Sequence, residues 1–236
     1  MSIQFVIALY EFVILLFSLS FHECAHGWVA SRLGDQTARL QGQITMNPVR
    51  HIDPFGTILF PLLMAFGPLI GFGGGLVFGW AKPTPIISRN FKHIRRDENI
   101  VAAAGPIANL ILVAAAIVLL IVLMKVVPGG APAVFAAMQF SVILGTTSVP
   151  QALALLGYLT IVVNLALFFF NFLPIPPLDA GTVLRNMLPY NSLNTYDTIA
   201  RFGFILIFIL GRIVVNFFMG PAMGIVNGVL SMFLHF

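Results

Sequence analysis

Charge is scarce in this chain. Of 236 residues, 12 are Lys or Arg and 8 are Asp or Glu, 8% together, where a soluble domain carries about 25%. So little polar surface cannot clothe a water-soluble core, which excludes an ordinary soluble domain. A single cysteine, Cys24, excludes an intramolecular disulfide and leaves the redox compartment unassigned. Internal repeats, low-complexity tracts and long polar linkers are absent. The glycines between 71 and 75 are not followed by Lys-Ser/Thr and lie in an apolar run, which excludes a phosphate-binding loop. The basic residues fall mostly in two short stretches, 32–51 and 82–96, beside apolar runs. The net charge of +4 therefore reads as membrane topology and lipid-headgroup contact, with no nucleic-acid partner.

What is present is apolar: 59% hydrophobic residues with 23 Phe and a mean hydropathy of +0.99. Several runs reach the roughly 20 residues that cross a bilayer. The expectation is one integral-membrane domain over residues 1–236, an all-α, multi-pass transmembrane helix bundle. The first span covers 3–29, with Trp28 at the interface; it lacks a basic n-region and a cleavage site and carries Glu11, so it reads as a retained span. Further spans are expected at 101–124, 151–172 and 202–219, the last ended by Gly220-Pro221 before a short apolar tail. The loop 126–150 reads as an interfacial segment. Residues 57–80 are apolar but rich in Gly and Pro, and a full crossing would put the two basic stretches on opposite sides. A re-entrant insertion keeps both inside; a broken full span is the alternative. Gly220, Gly224 and Gly228 form a small-residue stripe, suited to packing inside the monomer or to a homo-oligomer contact.

The first span ends in His22-Glu23-Cys24-Ala25-His26. On a helix, H-E-x-x-H sets two imidazoles one turn apart on one face, as two ligands of a catalytic zinc, with the Glu as general base. Ionisable groups inside a membrane segment are costly and mark function. A third ligand must come from elsewhere. Asp179, after the run Leu173-Pro174-Ile175-Pro176-Pro177, falls at the same membrane boundary, but it also reads as an N-cap for a helix starting at Ala180. His51, Asp53, His93 and Asp197 are other candidates. Glu11 lies about 16 Å up the helix from His22, too far to share an ion. Cys24 points about 200° away from His22 and reads as packing.

These stretches, in this order, resemble the site-2 protease family of zinc-dependent intramembrane proteases, in its compact prokaryotic branch without PDZ or CBS domains. The resemblance rests on His22-Glu23-Cys24-Ala25-His26 in a span and Ala104-Gly105-Pro106-Ile107-Ala108-Asn109 opening a later one. It extends to Asn171-Phe172-Leu173-Pro174-Ile175-Pro176-Pro177-Leu178-Asp179 closing a third. Pro54-Phe55-Gly56-Thr57 and Gly79-Trp80-Ala81-Lys82-Pro83 add to it, so it covers about residues 21–181. It implies that His22, His26 and Asp179 hold one zinc ion and that Glu23 is the base. It implies core spans of about 3–30, 101–124 and 151–180, and a small membrane-associated β-rich, re-entrant insertion at about 35–85. Asn109 and Asn171 match motif asparagines, implied donors to the substrate backbone or a developing oxyanion; helix–helix hydrogen bonding is their other reading. Ala180 departs from the family's usual Gly after the Asp and makes the backbone there less permissive.

The implied activity is a zinc-dependent endopeptidase cutting peptide bonds within or near transmembrane segments. The implied setting is a prokaryotic cell membrane, with the zinc site near the cytoplasmic side. The partners are then a transmembrane substrate and the bilayer. The alternative is a non-proteolytic zinc-binding membrane protein, a carrier or an inactive relative; Glu23 argues against it, because ligation alone does not need that residue.

Overall fold

A computed structural model describes residues 3–66, 79–140 and 148–234. Helix α1 (Ile3–Leu33) is followed by the short α2 (Thr37–Leu40) and α3 (Phe60–Phe66). Then come α4 (Ile94–Val126), α5 (Gly130–Met138), α6 (Val149–Asn171), α7 (Asp179–Met187), α8 (Tyr190–Ala200) and α9 (Gly203–Phe233). Four of them, α1, α4, α6 and α9, are long and apolar enough to cross a membrane. Lipid offers no hydrogen bonds, so a spanning backbone must satisfy itself, and apolar helices hold together by close packing and a few polar contacts.

Helix α6 is the centre of the bundle. It starts at a capping box, Ser148 with Gln151, and Pro150 sits in its first turn. Its faces meet α1, α4, α5 and α9. Leu120, Val134, Tyr158, Ile161 and Leu230 form the core at one end of the bundle, and Ile14, Leu15, Leu159 and Val163 join α1 to α6. Two polar pins cross the apolar contacts: Asn164 Nδ2 donates to Ser18 Oγ (2.9 Å) and Tyr158 donates its hydroxyl to Asn227 Oδ1 (3.0 Å).

Helices α1 and α4 are antiparallel: His22 meets Asn109 while His26, one turn on, meets Val101. The chain between them, 34–93, therefore leaves and returns at one end of the bundle. Helix α6 ends there, and α9 starts there, with Gly203 against the Pro176 carbonyl.

Three expectations are corrected. The β-rich insertion at 35–85 is not supported: among the described residues that stretch has no strand, only α2, α3, a 3-10 turn (Pro48–Arg50) and a π-helical turn (Pro54–Leu59). The cause is local. Asn47 and Asp53 each precede a proline, and each accepts from backbone N–H groups of the following turn, so Asn-Pro and Asp-Pro act as helix caps. Pro83 and Pro85 then remove ladder donors from the segment 79–87, which has no regular structure. Of the stretch 57–80, expected to be re-entrant or a broken span, residues 67–78 lie outside the described residues. Next, Gly220-Pro221 does not end the last span; α9 runs through Pro221, because Val226 and Leu230 beyond it are packed into the core. The 126–150 loop, expected to be interfacial, holds α5, which packs Ala133, Val134 and Ala137 against the bundle. Finally, among the described residues nothing lies within 4 Å of a Cβ added at Gly220, Gly224 or Gly228, so the stripe is not packed against any of them inside the monomer.

The polar segment is pinned just past the end of α1 by Asp35. This carboxylate is fully buried (0% exposed). It accepts from Thr37, from Ile87 N (2.7 Å) and from Asn90 Nδ2 (2.8 Å). Burial acts to raise its pKa, but these donors outweigh it and hold the carboxyl below its ordinary value. A depressed folded-state pKa contributes stability that is present above the unfolded value and is lost as pH falls through the folded one. Asp35→Asn is therefore expected to destabilise the protein by about 1–3 kcal/mol near neutrality, by leaving buried donors without acceptors. The gap to wild type should close on acidification through the carboxylate range. Thermal unfolding in detergent across pH reads this, and a gap that does not vary with pH would refute the assignment.

Candidate metal centre

Two turns of α1 and the first residue of α7 meet at the end of the bundle where the linkers gather. His22 Nε2 is 3.2 Å from Asp179 Oδ2, His26 Nε2 is 3.2 Å from Asp179 Oδ1, and the two Nε2 atoms are 3.0 Å apart. These three are the group of His, Cys, Asp or Glu side chains found poised to hold a metal among the described residues. Two facing ring nitrogens cannot both point hydrogens at one another, and Asp179 Oδ2 makes no hydrogen bond although it is buried. A tetrahedral zinc with bonds of 2.0–2.2 Å needs its ligand atoms about 3.3 Å apart. The donor set and its spacing fit such an ion. Burial acts to raise the pKa of the Asp179 carboxyl, and its two imidazole neighbours act more strongly to lower it.

Each ligand is held from behind. His26 Nδ1 is 2.7 Å from the Val101 carbonyl, and His22 Nδ1 is 3.2 Å from the Asn109 side-chain amide. Asp179 is not an N-cap. It is the first residue of α7, after Leu178, and its side chain turns to the histidines. Tyr196 fixes that turn by donating its hydroxyl to the Gly181 carbonyl (2.7 Å), and Asn186 ties α7 to Glu98 and Asn99 of α4. Helix α4 passes so close that a Cβ on Gly105 would lie 2.4 Å from both imidazoles. Only glycine fits there.

The centre opens into a cavity of about 590 Å3 whose walls include Glu23, Trp80, Thr84, Phe170 and Asn171. Glu23 is set by the segment 79–87: Thr84 N–H donates to Glu23 Oε2 (2.8 Å), and Thr84 Oγ1 donates to the Glu23 carbonyl (3.0 Å). The N–H groups of Trp80 and Lys82 likewise turn into the protein, onto the Gly56 and His51 carbonyls.

The sequence-derived candidates separate cleanly. His22, Glu23, His26 and Asp179 converge, and Asn171 lines the cavity while donating to the Leu167 carbonyl of its own helix (3.0 Å). Asn109 is fully buried behind His22 and is not on the cavity wall. His51, Asp53, His93, Asp197, Glu11 and Cys24 are outside the ligand cluster. Asp53 caps a turn and Asp197 pairs with Arg185. Thr84, Val101, Gly105 and Asp35 escaped sequence reasoning as parts of the site. Gly105-Pro106 inside a span was a usable signal for close approach; a backbone carbonyl such as that of Val101 leaves none.

Spanning helices around a His-Glu-x-x-His and Asp centre define an integral-membrane metalloprotease. Residues 10–210 match Peptidase family M50, and the chain belongs to that family. It is 36% identical over 201 residues to "Putative zinc metalloprotease YwhC" of Bacillus subtilis, covering 85% of this chain and 79% of that protein. It is 29% identical over 195 residues to "Putative zinc metalloprotease Rip2" of Mycolicibacterium smegmatis, covering 83% of this chain and 63% of that protein. With the Rip2 of Mycobacterium tuberculosis H37Rv the identity is 27% over 197 residues, with the same two shares, 83% and 63%. No solved structure matches the chain.

Proposed function

We propose that this protein is an intramembrane endopeptidase that hydrolyses peptide bonds within or near transmembrane segments of membrane proteins. One observation carries the reading: the ligand pair His22 and His26, with Glu23 between them, lies inside a helix built to span a bilayer. His22, His26 and Asp179 would hold a single zinc ion, which when bound supplies Lewis-acid polarisation of a peptide carbonyl and acidifies water. Glu23 is the base. Its Oε2 is occupied by Thr84 N–H, which leaves Oε1 to take a proton from water in the cavity and pass it to the leaving amine. A helical substrate hides its carbonyls in its own hydrogen bonds, so it must unwind before cleavage. The irregular wall formed by residues of 79–87 offers a surface against which an unwound stretch can lie. Asn171, which lines the cavity from the end of α6, would use the amide hydrogen not engaged by the Leu167 carbonyl to donate to the substrate backbone or an oxyanion.

Asn109 serves the metal instead. To ligate through Nε2, His22 must carry its proton on Nδ1, and the group facing Nδ1 must then accept. The amide O and N of Asn109 exchange by a simple flip, and its Oδ1 is otherwise a buried acceptor without a partner. Asn109 therefore fixes the His22 tautomer, as the Val101 carbonyl fixes that of His26.

Ten of the twelve Lys and Arg residues, all but Lys125 and Arg212, lie in segments at the metal-bearing end. That end faces the cytoplasm of a prokaryotic cell membrane on the positive-inside rule.

Three outcomes test these points. Zinc-loaded protein should cut members of a panel of transmembrane peptides inside an apolar segment. Glu23→Gln should lose about 10²–10⁴ of that rate while keeping its zinc; a variant as active as wild type would remove Glu23 from the chemistry. Asn109→Leu should weaken zinc binding about 10–100-fold in chelator competition. Asn109→Asp, an acceptor only, should hold zinc at least as well as wild type, and equal weakening by both variants would show the asparagine acting as a donor. Cysteines placed at Lys82 and Arg89 should be labelled from the cytoplasmic face alone; labelling of both from outside would invert the topology.

A further inference from the structure

A second concavity lies where α1 leaves the membrane, of about 490 Å3 and lined by Trp28, Ser31, Arg32, Arg39, Gly42 and Ile44. It is separate from the metal centre, and no residue lines both. Its chemistry is one-sided. Two guanidinium groups face it and no carboxylate does. The arginine ion pair found among the described residues, Arg185 with Asp197, is elsewhere. The acid nearest in sequence, Asp35, is turned inward and fully engaged. The Arg32 guanidinium is held over the Trp28 ring, 5.2 Å from its centroid, which stacks it at the rim and leaves its N–H edge for a ligand. The Ser31 hydroxyl is committed to the Trp28 carbonyl, so the polar donors left for a ligand are those of the two arginines.

The surroundings say what kind of anion reaches it. Trp28 is 52% exposed in the last turns of a spanning helix, and Leu40, next to Arg39, is 85% exposed. Met46, Val49 and Phe55 on the same polar segment are exposed too. Large apolar side chains beside unpaired arginines suit the boundary of headgroups and acyl chains, where aromatic rings and arginine stems are both at home.

We infer that this concavity binds the phosphodiester headgroup of an anionic phospholipid, with Arg32 and Arg39 on the phosphate and Trp28 and Leu40 against the acyl chains. Arg50, Lys82, Arg89, Lys92, Arg95 and Arg96 are basic as well, but they do not line the concavity and supply general surface potential. Free inorganic phosphate shares the headgroup's anionic chemistry and lacks the chains, which separates the two sources.

The chain has two tryptophans, so Trp80→Phe leaves Trp28 as the fluorescent reporter. The full chain is placed in vesicles mixing a zwitterionic lipid with an anionic phosphatidylglycerol, with bromine quencher on one or the other. Quenching then gives the relative affinity of the two lipids at Trp28. The anionic lipid should be preferred. Arg32→Gln with Arg39→Gln should weaken that preference about a hundredfold, on the order of tenfold for each charge-assisted contact with the phosphate, beyond the roughly fivefold per residue that surface potential alone gives. An equal change on replacing Arg95 and Arg96 with Gln would show general surface potential and overturn the site. Equal quenching by both lipids in the wild-type arginine background would also overturn it. Loss of the preference to inorganic phosphate, but not to chloride at equal ionic strength, would make it a small-anion site and refute the lipid. Should Trp80→Phe fail to fold, lipid adducts of the wild-type chain and the arginine variants in native mass spectra read the same ratio.

Discussion

Everything at the metal-bearing end depends on bringing two imidazoles and a carboxylate together where water is scarce. A polar group in a bilayer cannot borrow hydrogen bonds from its solvent, so each of these side chains needs a partner on its far side as well as on the side where the three converge. The structure supplies those partners from three directions: the Val101 carbonyl behind His26, the Asn109 amide behind His22, and the first turn of α7 under Asp179. Two of these come from α4, which is why α4 has to run antiparallel to α1 at close range. That approach is possible only with Gly105 at the crossing, where any side chain would occupy the space of the imidazole rings.

The polar segment between α1 and α4 serves the same constraint. Without a regular ladder of its own, it is fastened at two places, Thr84 to Glu23 of α1 and Ile87 with Asn90 to Asp35 just past the end of α1. Gly27, one residue past His26, lies 3.2–3.3 Å (from its ideal Cβ position) from Ala38, Ile44 and Thr84. Glu23, Gly27 and the Trp28, Ser31 and Arg32 edge of the basic concavity thus lie on successive turns of one helix. In this way α1 couples its buried, metal-facing side to its membrane-surface side through ordinary packing.

Much of the site was legible in the residues because its chemistry is local. H-E-x-x-H needs only helical periodicity to set two histidines on one face, and an acid after a proline-rich stop can be placed at a membrane boundary by counting spans. Family resemblance, more than spacing, singled out Asp179 from its rivals. The errors were of another kind. Asn47-Pro48 and Asp53-Pro54 read as turn signals within a β-rich insertion, whereas both cap helical turns. Gly220-Pro221 read as a helix end, whereas packing of Val226 and Leu230 carries α9 past it. In each case a correct local signal had two structural outcomes, and neighbours outside the window chose between them.

The sequence by itself determined that this is a membrane-embedded helical protein with a histidine pair and a glutamate on one span, because composition and helical period act over a few turns and need no partner. Tertiary structure decided which groups stand behind those ligands, which face of α4 may approach them, and that Asn109 lies behind His22 while Asn171 lies on the cavity wall. Those outcomes join residues as far apart as 22 and 109, or 23 and 84. No local pattern encodes them, since a backbone carbonyl or amide becomes a partner only when the bundle brings it within hydrogen-bond reach.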